Sequence, residues 1–144
     1  MEDFGFVRDI SAFGGTPFYF LLLVLILFSG DYVLLFRLSL CYFIAVSFSF
    51  LIRIFYFKER PEKKKYHNFI EKLDAATFPS IHSARAGILS YAFYFRNPSV
   101  LSALLSLVFL IIVVYSRIYL KKHFLKDTIA GAMLGFAVSF FVFS

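Results

Sequence analysis

Two histidines, a carboxylate and several arginines stand at spacings that suit phosphate chemistry. Arg53 and Arg60-Pro61 are seven residues apart, close to two helical turns, so a helix would turn both guanidiniums to one side. Two forked donors on one face fit a dianionic phosphate. Pro79-Ser80-Ile81-His82-Ser83 reads as a capped helix start. The free N–H groups of such a first turn form an anion site, and His82 lies within reach of a bound phosphate ester. Ser116-Arg117 is followed by His123 and Asp127. Positions 123 and 127 share a face if helical, and a carboxylate that holds one ring nitrogen leaves the other as nucleophile or base. Each cluster alone also fits a duller role: snorkelling arginines, an ordinary cap, a buried polar pair that ties helices together. Together they place three arginines, a helix N-terminus, two histidines and a carboxylate at one end of one molecule.

The elements that must position these groups are membrane helices. The chain has 144 residues, 60% of them hydrophobic, more apolar surface than a soluble domain of this size can hide. Apolar stretches near the ~20 residues needed to cross a bilayer recur along it. The expected fold is all-α, a polytopic bundle of about five spans forming one membrane-embedded domain over residues 1–144. The spans are expected at about 17–28, 32–57, 78–95, 98–116 and 124–143. Thr16-Pro17 is expected to cap the first and Asn97-Pro98 the fourth. Residues 2–13 read as a short interfacial helix with Phe4, Phe6 and Ile10 turned inwards. The charged stretch KERPEKKKYHNFIEKLDAAT reads as a loop, with Lys63–Lys65 and His67 in solvent. No cleavable signal peptide is expected at the mixed-charge start. Cys41 reads as a packing residue. His82, Ala86 and Ser90 form one stripe of smaller residues, and Gly131 and Gly135 continue the Asp127 face as a smooth seam for a neighbouring helix.

Alternating spans put the polar clusters and most Lys and Arg residues on one face, and the positive-inside rule points that face to the cytoplasm. Ionisable groups in spans are functional candidates by default, and these sit near headgroup depth. That favours a lipid that presents its phosphate while its tails stay in the bilayer. Membrane lipids are the expected surroundings, and no nucleic acid partner is expected.

In order, the clusters resemble the three-part signature of the type 2 phosphatidic acid phosphatase superfamily, which also contains the vanadium haloperoxidases. That signature is Lys, six residues, Arg-Pro; then Pro-Ser-Gly-His; then Ser-Arg, five residues, His, three residues, Asp. Ser116-Arg117, His123 and Asp127 match the third part in full; Pro79, Ser80 and His82 match the second, and Arg60-Pro61 the first. Arg53 stands where the family usually has Lys, and Ile81 where it has Gly. The resemblance implies a metal-independent, cofactor-free phosphatase of the cell membrane. In it Arg53, Arg60, Arg117, the Ser80 hydroxyl and the N–H groups of Ile81 and His82 hold the phosphate. His123 is the implied nucleophile, Asp127 its orienting partner, and His82 the proton donor to the leaving oxygen. The implied substrates are phosphatidylglycerophosphate, phosphatidate or a polyprenyl diphosphate. A lipid phosphotransferase and a non-catalytic lipid-phosphate-binding membrane protein are the alternatives, and the oligomeric state is left open.

Overall fold

The computed structural model describes residues 3–62 and 65–144, and among them finds seven helices and no strand. In chain order these are α1 (Asp3–Ala12), α2 (Thr16–Ser29), α3 (Tyr32–Phe55), α4 (Phe69–Ala75), α5 (Ile81–Arg96), α6 (Val100–Tyr119) and α7 (Leu125–Phe143). The five long helices expected from the apolar stretches are all present. Local chemistry sets most of their starts. Asp31, Asn68 and Ser80 accept from the backbone N–H three residues on, satisfying donors that a first turn leaves free. Ser99 and Ser102 exchange side-chain and backbone bonds in a capping box, so Ser99 opens α6 rather than the expected Asn97-Pro98. The cap of α2 is Gly15, not Thr16, whose hydroxyl is engaged elsewhere. Between α2 and α3 the chain reverses at Gly30, whose φ of 78° suits a residue without a side chain.

Helix α4 lies within the stretch expected to be solvated loop. Asn68 caps it, Glu71 occupies its first turn, and Ala75 and Ala76 are buried, which is enough to order a short helix against the bundle. His67 and Lys65 are exposed as expected, whereas Lys63 and Lys64 lie outside the described residues, as does the side chain of Phe4. Phe6 is exposed and Ile10 half-buried.

Helix α5 is the central post. Residues Ser83 to Ile88 are all buried, and the helix packs chiefly against α7, with α6 and α3 on its other sides. The α5–α7 contact is close because glycine makes it so. A Cβ on Gly131 would stand 2.2 Å from the Ser80 carbonyl oxygen, and one on Gly135 would stand 2.1 Å from that of Ala84. On the α6 side, Ser90 and Ser106 exchange hydroxyl-to-carbonyl bonds of 3.1 and 3.0 Å. Cys41 is fully buried in the apolar core with Tyr19, Leu38 and Ile88.

Helices α3, α6 and α7 are long and apolar enough to cross a membrane, and α1 with α2, bent by 43°, make a fourth candidate. With 16 residues, α5 is about 24 Å long, short of the ~30 Å hydrocarbon core. Its neighbours shield it, so it has room for an arginine and several serines that lipid would exclude.

Candidate active site

The three clusters meet at one end of the bundle, and α4 brings the first of them into place. Helix α3 stops at Phe55, so Arg60 is not on it, and the expected helical register between Arg53 and Arg60 does not form. The two guanidiniums converge by another route. Arg53 Nη1 donates to the Leu73 carbonyl (3.1 Å) and Nη2 to that of Pro79 (2.9 Å), while Arg60 Nη2 donates to the adjacent Asp74 carbonyl. The last turn of a helix leaves carbonyls free at its negative end, which suits cations.

The second cluster forms at the start of α5, after a cis Phe78–Pro79 peptide. The Ser80 oxygen accepts from the Ser83 N–H (3.4 Å) and the Ser83 hydroxyl (3.1 Å), and the Ser80 N–H donates to the Asp127 carbonyl (2.9 Å). The second and third clusters are therefore joined through their backbones. Ile81 and His82 occupy the first turn, where N–H groups point out of the helix. Residues 81 and 82 are half-buried.

The third cluster spans the α6–α7 link. Arg117 is on the last turn of α6, and Lys121 adopts a left-handed φ of 52° that turns the chain back. The N–H groups of Lys122 and His123 then both donate to the Arg117 carbonyl (3.1 and 3.2 Å). This turn holds His123 beside the arginine, buried, ahead of α7 rather than on it.

That placement corrects one expectation. His123 and Asp127 do not bond directly; Thr77 stands between them. His123 Nδ1 lies 2.8 Å from the Thr77 carbonyl and 3.0 Å from its hydroxyl, and that hydroxyl donates to Asp127 Oδ2 (2.8 Å). A carbonyl only accepts, so Nδ1 carries the hydrogen and Nε2 keeps its lone pair. Asp127 Oδ2 also accepts from the Phe124 N–H (2.9 Å), and Oδ1 pairs with Lys58. Thr77 is wholly buried, and its own N–H donates to the Lys58 carbonyl (2.9 Å). Neither Thr77 nor Lys58 carried a spacing signal, since they meet Asp127 across 50 and 69 residues.

The electrostatics follow from burial among cations. His82 and His123 lie close enough to feel each other and both Arg60 and Arg117. Burial first, then the Arg117 and Arg60 charges, push the His123 imidazole down to about 3, against the opposing pull of the Thr77 carbonyl. At neutral pH it is the uncharged base. Arg60 is likewise lowered, chiefly by burial, while Asp74 works in the other direction.

Two hydroxyls from the α1–α2 elbow complete the enclosure: Ser11 accepts from Arg117 Nη1 (2.6 Å) and Thr16 from Arg85 Nη1 (2.8 Å). Gly14 lies against His82; a Cβ there would approach the His82 carbonyl oxygen to 3.2 Å and the Val113 side chain to 2.8 Å. Among the described residues, the buried side-chain nitrogens with no hydrogen-bond partner are the Nε atoms of Arg53, Arg60, Arg85 and Arg117. Such groups are costly to leave unpaired, so those of Arg53, Arg60 and Arg117, gathered around His123, mark a site for an anion, while that of Arg85 lies one turn further along α5.

The family model of the PAP2 superfamily matches residues 34–144, which covers α5 to α7, α4 and nearly all of α3 and leaves the elbow outside. No curated protein sequence matches the chain. Among solved structures, the crystal structure of Aquifex aeolicus LpxE is similar with a TM-score of 0.78 at 17% identity, over 97% of this chain and 84% of that one. At that identity the likeness speaks to the fold.

Proposed function

Because the chain belongs to the PAP2 superfamily, we propose that it is a membrane-embedded lipid phosphatase working through a phosphohistidine at His123. The observation that carries this reading is the set of Nε donors of Arg53, Arg60 and Arg117 without partners around two imidazoles. Arg53, Arg60 and Arg117, with the Ile81 and His82 N–H groups, hold the phosphate and the charge that develops on it. The Ser80 oxygen already accepts within α5, so only its hydroxyl hydrogen is left for the phosphate.

His123 Nε2 attacks phosphorus, the N–P bond forms, and the bond to the leaving oxygen breaks with its electron pair going to that oxygen. His82 gives it a proton. Water then attacks the phosphohistidine, and His82 takes a proton from it as inorganic phosphate and neutral His123 are regenerated. While phosphorylated, the ring is cationic. The Thr77 carbonyl accepts its Nδ1–H, and the Thr77 hydroxyl passes the stabilisation on to the Asp127 carboxylate, itself held by Lys58.

Phosphate release from a panel of lipid mono- and diphosphates, with EDTA present, tests the reading. Turnover on at least one lipid is expected to survive the chelator. A folded protein that releases phosphate from none would refute it. The Thr77 relay has its own signature. Thr77→Val keeps the carbonyl and the volume but loses the hydroxyl, and is expected to lower kcat by roughly 10- to 100-fold with KM little changed. Thr77→Ser restores most of it. Equal losses in Val and Ser variants would show that packing, not the hydroxyl, matters.

A further inference from the structure

Arg85 belongs to none of the three motifs, yet it shares the feature that marks the motif arginines: a buried Nε with no acceptor. It is 5% exposed. Its contacts are the Thr16 hydroxyl at 2.8 Å and the face of Tyr42, whose ring centre is 5.9 Å from the guanidinium carbon. Among the described residues, the acidic groups that act on it are the phenols of Tyr42 and Tyr19 rather than a carboxylate. A buried guanidinium in so apolar a setting is expensive unless an anion joins it, and a hydroxyl and a ring meet only part of that need.

Its position says which anion. Arg85 is one turn beyond His82 on α5, so its Cα lies about 4.5 Å further from the helix start. Tyr42 is roughly three turns before Arg53 on α3, which runs the opposite way. Both helices therefore put Arg85 on the bundle-interior side of the phosphate cradle, yet still within electrostatic reach of His82 and Arg117. A lipid with its terminal phosphate at His123 and a chain in the apolar groove lined by Phe18, Leu22, Leu38 and Leu89, one turn beyond Arg85 on α5, would pass Arg85 between the two. The group directly attached to the transferred phosphorus is what comes next to Arg85.

We propose that Arg85, positioned by Thr16, is a second anion subsite that takes the phosphate remaining on the lipid when the terminal phosphate of a lipid diphosphate is transferred. The subsite rests on the histidine phosphatase reading and narrows its substrate to an anhydride. As the His123 Nε2–phosphorus bond forms, the bridging oxygen keeps the electron pair of the broken P–O bond. It becomes a terminal oxygen of a lipid monophosphate, and Arg85 faces that growing charge. A lipid monophosphate offers only an ester oxygen there, so Arg85 has no second anion to hold. Thr16 and the elbow that carries it precede the segment matched by the family model, so this subsite is built partly from outside it.

The test compares a polyprenyl diphosphate with the monophosphate of the same polyprenol, using the full chain in detergent. Arg85→Gln is expected to cut kcat/KM for the diphosphate by roughly 10- to 100-fold and to leave that for the monophosphate within about threefold. Arg85→Lys should retain part of the preference. Thr16→Val, which keeps the cation and the volume, should show a smaller loss confined to the diphosphate. Thermal unfolding of each variant reports whether the fold is kept. Equal losses on both substrates, or no loss on the diphosphate, would overturn the subsite. Wild-type activity on the monophosphate alone would overturn it while leaving the phosphatase intact. Wild-type protein inactive on both would overturn the phosphatase reading and the subsite with it.

Discussion

His123→Ala is expected to reduce phosphate release by roughly 10⁴-fold or more, since removal of the proposed covalent nucleophile would leave only the binding contribution of the cradle. The expectation rests on a geometry that assigns each ring nitrogen. The Thr77 carbonyl occupies Nδ1, so Nε2 is the atom free to attack. Burial among arginines keeps the ring unprotonated, so no proton has to leave it first. Asp127→Asn should be milder. It keeps an oxygen able to accept from the Thr77 hydroxyl or the Phe124 N–H, but loses the charge that pairs with Lys58 and steadies the cationic intermediate. A rapid quench with radiolabelled substrate is the direct check. An acid-labile, base-stable phosphoenzyme should appear in wild type and be absent in His123→Ala. A stable phosphoenzyme in the alanine variant would assign the nucleophile to another residue.

The largest effect on folding is expected at the α5–α7 contact. Gly135→Ala places a methyl group 2.1 Å from the Ala84 carbonyl oxygen, and Gly131→Ala places one 2.2 Å from that of Ser80. Both obstacles are backbone, so neither can rotate away, and relief requires the two helices to separate. That separation also stretches the 2.9 Å bond from the Ser80 N–H to the Asp127 carbonyl, so the second and third clusters move apart. Each substitution is expected to cost about 3 kcal/mol, the upper end of overpacking, with activity lost in parallel. Gly5→Ala is the control. Nothing lies within 4 Å of a Cβ there, so the change should be neutral or stabilising by a few tenths to about 1 kcal/mol, since alanine suits a helix better. Thermal unfolding in detergent separates the cases. Gly135→Ala unfolding at the wild-type temperature would show that the helices can part without loss.

Much of this molecule was legible without coordinates. Apolar runs near bilayer length identified the long helices, because in lipid a helix is the cheapest way to satisfy the backbone. Ser80 as a cap and the Gly131–Gly135 seam were readable because both are short-range: a cap reaches three residues on, and two glycines four apart fall on one face. The motif residues were legible for a different reason, their resemblance to a known pattern. Misreadings occurred where a local rule met a long-range competitor. Thr16 looks like a cap, but Arg85 takes its hydroxyl. Arg53 and Arg60 look like one helical face, but the helix ends between them and the carbonyls of α4 align them.

By itself, then, the sequence determined that the chain is helical with helices apolar enough to cross a membrane, and which polar and ionisable residues gather at one end of it. The tertiary structure alone decided how those residues are wired. It set Thr77 between His123 and Asp127, put Lys58 on Asp127, and drew Ser11 and Thr16 over the arginines. It also left Arg85 buried against Thr16 and Tyr42, with no carboxylate acting on it among the described residues. Spacing along a helix encodes only neighbours within a turn or two, whereas these contacts close across 46 to 106 residues. They exist only once α5 has packed against α7 and the elbow has folded against α5 and α6.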